Sequence, residues 1–135
     1  MKDIKLFFSE NAEFGKNIGI KLLEVKYGYA KAKMKVTKFH LNLAGVCHGG
    51  AIFTLADFAF AVASNSFGKI ALAIDTSISF INAAKEGDEL IAEAKLIGES
   101  NRLGTYEVKI THKDKIIAFF KGTVYKTKKD LKEIK

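Results

Sequence analysis

The most apolar stretch of the chain, GGAIFTLADFAFAVA from Gly49 to Ala63, contains a single charge, Asp57. An ionised carboxylate inside an apolar helix costs on the order of several kcal/mol unless something compensates it. Asp57 is therefore either tied to a neighbouring hydroxyl or backbone amide, or placed there as a general base or nucleophile. Eight residues earlier the stretch opens with Gly49-Gly50. A helix start leaves several N–H groups unpaired at the positive end of its dipole, and glycine lets a ligand approach closely. That is a place for an oxyanion or a polarised carbonyl, although the same pair also permits a tight turn. At a rise of 1.5 Å per residue, Gly49 and Asp57 lie about 12 Å apart along one helix axis. They can serve one reaction only if two subunits contribute them, with their helices packed antiparallel.

The flanking residues carry weaker signals. Asn42, in the preceding loop, could hold a water or a substrate carbonyl, or simply shape a turn. His48 could orient a ligand or cap the helix. Cys47 beside His48 does not make a nucleophile–base pair, because adjacent side chains seldom aim at each other. His40, His48 and His112 lack metal-site spacing, and neither GxxxxGK nor GxGxxG occurs. Phe53, Phe58 and Phe60 could line an apolar pocket or pack in the core.

These residues need elements to hold them. A chain of 135 residues makes one domain, 1–135, with 48% apolar and 27% charged residues, which argues against disorder. The only cysteine rules out an intrachain disulfide and, with no signal-like N-terminal segment, predicts a cytoplasmic protein. The apolar stretch, interrupted by Thr54 and Asp57, is too short for a membrane span. The net charge of +7 comes from scattered lysines, which read as solvated faces rather than a nucleic-acid site. Neither nucleic acid nor membrane is expected as a partner.

Residues 4–14 predict an N-terminal helix. Strands follow over Ile18 to Tyr27 and Ala30 to Val36, turning at Tyr27-Gly28. A loop from Lys38 to His48 leads into a central helix over about 49–66, ended by Asn65-Ser66-Phe67-Gly68. The period then becomes two. Ile70, Leu72, Ile74, Thr76, Ile78 and Phe80 share one face, as do Leu90, Ala92, Ala94 and Leu96 in the next strand. Tyr106, Val108 and Ile110 mark a third strand, joined by a tight turn at Lys113-Asp114 to a fourth over Ile116 to Tyr125. A C-terminal tail begins at about 127. The expected architecture is α+β: a six-stranded antiparallel sheet, its last four strands a meander, wrapped around the long helix. A helix apolar on every side must be buried on every side, and one sheet covers only part of it, so a dimer or larger assembly is expected.

The segment NLAGVCHGGAIFTLADFAFAVASNSFG resembles the signature of the hotdog-fold acyl-CoA thioesterases of the PaaI (phenylacetic acid degradation) type. SISF (77–80), GDEL (87–90), RLGTYEV (102–108) and AFFKGTVY (118–125) continue the likeness in order, over residues 14–127. The resemblance implies the hotdog fold and a hydrolase that splits acyl-CoA into free acid and CoA. The acyl group would be phenylacetyl, another aryl-acetyl or a medium chain. No metal or cofactor is implied, coenzyme A being part of the substrate.

By position in that signature, the Gly49 N–H would polarise the thioester carbonyl. The partner subunit's Asp57 would activate water or attack directly to give an anhydride. Asn42 would position water or thioester, and His48 would support the loop. Gly50 would belong to the substrate-binding turn, and Arg102 would contact the CoA phosphates. The family assembles as homodimers with shared active sites, often paired into homotetramers. The chain departs from the family pattern at Ile81-Asn82, where an Arg-Pro pair is usual. It departs again at Ala73, where relatives use Ser or Thr, leaving Thr76 and Ser77 as alternatives. Two other readings share the fold: a non-catalytic acyl-CoA-binding protein, and an enoyl-CoA hydratase or dehydratase.

Overall fold

A computed structural model describes residues 1–133. Two helices, α1 (Lys2–Asn11) and α2 (Glu13–Asn17), precede strands β1 (Ile20–Lys26) and β2 (Tyr29–Lys35). A 3-10 turn (Lys38–His40) leads to the central helix α3 (Gly49–Asn65). Strands β3 (Lys69–Phe80), β4 (Glu89–Glu99), β5 (Leu103–His112) and β6 (Lys115–Asp130) complete the sheet, and a 3-10 turn follows over Leu131–Glu133. The expected single helix over 4–14 is broken at Ala12, whose φ of −86° and ψ of 72° are not helical.

All six strands pair antiparallel, in the order β1-β2-β4-β5-β6-β3. The expected meander over the last four strands is therefore corrected. β3 runs at the outer edge beside β6, and β4 returns across the sheet to pair with β2. Alternation fixes which face a residue takes and leaves a strand's neighbours open.

The strands beneath the helix explain the crossover. Ala30 pairs with Ala94 and Ala32 with Ala92, all four fully buried, so α3 can lie close to the sheet there. Further out, Phe60 of α3 is seated over Gly122, where an added Cβ would come within 2.7 Å of the ring. Phe60 is buried against Tyr106 and Phe120, which removes it from any acyl pocket.

The C-terminal end of α3 is bolted to the sheet by buried polar groups. Ser66 Oγ accepts the Gly28 N–H at 2.7 Å and donates to the Ala63 carbonyl. Asn65 Oδ1 accepts the Ala71 N–H at 3.0 Å, which starts β3 at the edge. A bulge at Ile74, between Ala73 and Asp75, breaks the expected β3 face. Ala73, Thr76 and Ile78 pair with Val124, Gly122 and Phe120 on the helix side, while Leu72 and Ser77 point away. The expected tail is strand instead: β6 extends to Asp130, Thr127 Oγ1 donates to the Ile70 carbonyl, and Leu131 is buried. The tail's last two residues, 134–135, lie outside the described residues.

Candidate active site

The start of α3 is built by one histidine. His48 is the N-cap, with extended backbone (φ −62°, ψ 137°), and its Nδ1 accepts the Gly50 N–H at 2.9 Å. The N–H groups of Ala51 and Ile52 donate to the His48 carbonyl at 3.0 and 3.2 Å. The Gly49 N–H is left without a partner among the described residues. It is a free donor at the positive end of a seventeen-residue helix dipole, suited to developing negative charge.

Both glycines sit against a close side chain. A Cβ on Gly50 would meet His48 Nδ1 at 3.1 Å, and one on Gly49 would meet Phe80 Cζ at 3.1 Å. His48 thus caps the helix, and its bond through Nδ1 leaves Nε2 as the donor of the neutral ring.

The loop before the cap is braced from two sides. Asn42 Oδ1 accepts the N–H groups of Ala44 and Val46 at 2.9 and 3.3 Å, so its carbonyl shapes the turn and its Nδ2 remains available. The buried His40 donates from Nε2 to the Ile18 carbonyl at 2.7 Å, accepts the Thr37 N–H at Nδ1, and offers its carbonyl to the His48 N–H at 2.6 Å. Cys47 faces inward, its thiol pushed up to about 11 by burial, which leaves it protonated and unsuited as a nucleophile.

Asp57 lies two turns along α3, on the stripe Gly50, Thr54, Asp57 and Ala61 that the sheet does not cover. It is half-buried, and burial alone pushes its carboxyl above the ordinary value, with no hydrogen bond or charge to offset it. The bland alternative, a carboxylate satisfied by a neighbouring hydroxyl or amide, is absent among the described residues. Thr54, one turn toward Gly49, donates to the Gly50 carbonyl at 2.8 Å.

The structure therefore brings Asn42, His48, Gly49 and Gly50 together and keeps Asp57 and Arg102 apart from them. Arg102, in the β4–β5 turn, lines a cleft of about 700 Å³ with Phe67, Tyr125 and Lys128 beside the C-terminal end of α3. Of the two alternatives on β3, Thr76 faces the helix and Ser77 does not. Sequence reasoning missed the brace formed by His40 and the ring of Phe80 over Gly49. Both depend on contacts between segments far apart in the chain.

Comparison with known proteins places the chain in a family. Residues 44–118 match the family model of the thioesterase superfamily. A protein of Archaeoglobus fulgidus, described provisionally as an esterase, is 48% identical over 128 residues, covering 94% of this chain and 83% of that protein. The acyl-coenzyme A thioesterase PaaI of Escherichia coli is 38% identical over 114 residues, covering 84% of this chain and 81% of its own. The solved structure of the E. coli PaaI protein from the phenylacetic acid degradation operon superposes with a TM-score of 0.90 at 34% identity, covering 93% and 91% of the two chains. The chain belongs to the thioesterase superfamily, enzymes that hydrolyse thioesters on a hotdog fold, and within it to the PaaI-type acyl-CoA thioesterases.

Proposed function

We propose that this thioesterase hydrolyses aryl-acetyl-CoA or medium-chain acyl-CoA at sites shared between two protomers. The observation that carries the reading is the unsatisfied pair on α3, the free Gly49 N–H and the unpartnered Asp57, about 12 Å apart along one axis and so unable to meet within a chain.

The edge strands favour a particular pairing. β1 is short and covered by α1 and α2, whereas β3 is twelve residues long and exposes Leu72 and Ile74. Joining two β3 edges about a two-fold axis continues the sheet and sets the two α3 helices antiparallel. The partner subunit's Asp57 then approaches Gly49. Pairing of such dimers into a tetramer would cover further apolar surface.

In the shared site, the Gly49 N–H holds the thioester carbonyl and stabilises its oxyanion. Asp57 takes a proton from water as the water oxygen bonds to the acyl carbon; the C–S bond then breaks and the CoA sulfur leaves with that proton. In the other route Asp57 itself bonds to the acyl carbon, CoA thiolate leaves, and water opens the resulting anhydride to free acid and carboxylate. Asn42 Nδ2 helps position the water or thioester, and Arg102 in its cleft meets the CoA phosphates. Neither route requires a metal or cofactor. Among the described residues no helix is long and apolar enough to cross a membrane, and the lone reduced Cys47 fits a cytoplasmic setting.

The test is thiol release from phenylacetyl-, hydroxyphenylacetyl-, benzoyl- and straight-chain acyl-CoAs. Turnover concentrated on the aryl-acetyl or medium-chain members supports the reading. Tight binding without thiol release would favour a non-catalytic acyl-CoA-binding protein, and hydration of an enoyl-CoA would favour a hydratase.

A further inference from the structure

Gly49 is not glycine for backbone reasons. Positive φ angles occur at Gly19, Gly28, Gly45, Gly68 and Gly87, and Gly49 is not among them. Phe80 is what a side chain there would meet. A Cβ built on Gly49 lies 3.1 Å from Cζ of Phe80 and 3.5 Å from Cε1 and Cε2, so the ring points its tip at this residue. Because N and Cβ of one residue are about 2.5 Å apart, that tip lies within about 6 Å of the Gly49 nitrogen.

The placement is built into the frame. Phe80 ends β3 opposite Ala118, and the N–H groups of Ile81 and Asn82 donate to the Ile117 carbonyl at 2.8 and 3.1 Å. Asn82 Nδ2 donates to the Ile116 carbonyl at 2.7 Å. The Cys47 N–H donates to the Ala84 carbonyl at 2.8 Å, tying the segment before α3 to the segment after β3. Phe80 is nonetheless 54% exposed, so only part of the ring is spent on Gly49.

We propose that Phe80 is the specificity-determining wall of the thioester site: its ring occupies the space of the side chain that residue 49 lacks and sets which acyl groups can bring their carbonyl to the Gly49 N–H. This rests on the thioesterase reading above. The free part of the ring offers a flat aromatic surface beside the carbonyl, which favours an aryl-acetyl group over a flexible chain.

Two measurements test it. The first is thermal unfolding of wild type, Gly49→Ala, Phe80→Ala and the double variant. Gly49→Ala should carry a penalty with the ring present, since the ring must give by a few tenths of an ångström, and the penalty should largely vanish without it. An equal penalty in both backgrounds overturns the proposal. The second is kcat and KM for phenylacetyl-CoA and hexanoyl-CoA in wild type, Phe80→Tyr, Phe80→Leu and Phe80→Ala. Phe80→Tyr should hold the kcat/KM ratio of the two substrates within about twofold, while Phe80→Leu and Phe80→Ala move it about tenfold or more toward hexanoyl-CoA. A Phe80→Ala enzyme that turns over both substrates at an unchanged ratio overturns the proposal alone. A wild type that releases thiol from no acyl-CoA overturns the thioesterase reading and this assignment with it.

Discussion

Burial without a partner gives Asp57 two consequences of opposite sign. In the proposed role of base it gains from the raised pKa, which brings it nearer to the operating range of a proton acceptor. As part of the fold it is a liability. An acid whose pKa is higher folded than unfolded binds its proton more tightly in the fold, so stability falls as pH rises from the ordinary carboxylate range through the raised value. Asp57→Asn should therefore be more thermally stable than wild type at neutral pH, with the difference closing in acid. The same variant should lose about 10²- to 10⁴-fold in kcat, the usual contribution of a general base. Wild-type kcat/KM should fall as pH drops through the raised carboxyl value. Melting curves and rate profiles over a shared pH series read both effects. An Asp57→Asn protein that is less stable at neutral pH would mean that the carboxylate has a partner.

At the scale of the elements, the helix is positioned by a few contacts that can each be removed. Gly122→Ala places a methyl 2.7 Å from the Phe60 ring, and such overpacking costs about 1–3 kcal/mol. Ser66→Ala leaves the Gly28 N–H without its acceptor in a buried site, which costs about 1–3 kcal/mol. Denaturant titration checks both, and neither change touches the site chemistry. These contacts also show where reading the chain succeeds and fails. The alternation of Ala30, Ala32, Met34 and Val36 with lysines gives β2 and its faces directly, and the apolar stretch after Gly49 gives α3 to within a residue. The seat of Phe60 on Gly122 and the bulge at Ile74 are invisible, because each arises between segments far apart in sequence. At the site, the residue types and spacing of His48, Gly49 and Asp57 point to the chemistry. The close neighbour of each glycine, a capping imidazole for one and an aromatic ring for the other, emerges only in three dimensions.

Across the whole molecule, a single chain holds an unpaired helix-start N–H and an unpartnered carboxyl on one rigid rod and keeps them apart by its own helical rise. On the proposed reading, catalysis depends on a second chain, and the β3 edge is the surface that would bring it. Gly49→Pro removes the donor at a first helical position that tolerates proline, after the extended backbone of His48. A Gly49→Ala control, which keeps the N–H, accounts for the Cβ that both variants bring to 3.1 Å from the Phe80 ring. The most direct measurement mixes Asp57→Asn and Gly49→Pro chains and isolates the mixed dimers by two different tags. Each parent alone should be inactive. In a mixed dimer one site joins the intact Asp57 of one chain to the intact Gly49 of the other, so the isolated mixed dimers should regain roughly half of wild-type thiol release. Mixed dimers that form but stay as inactive as their parents would contradict a site shared between protomers.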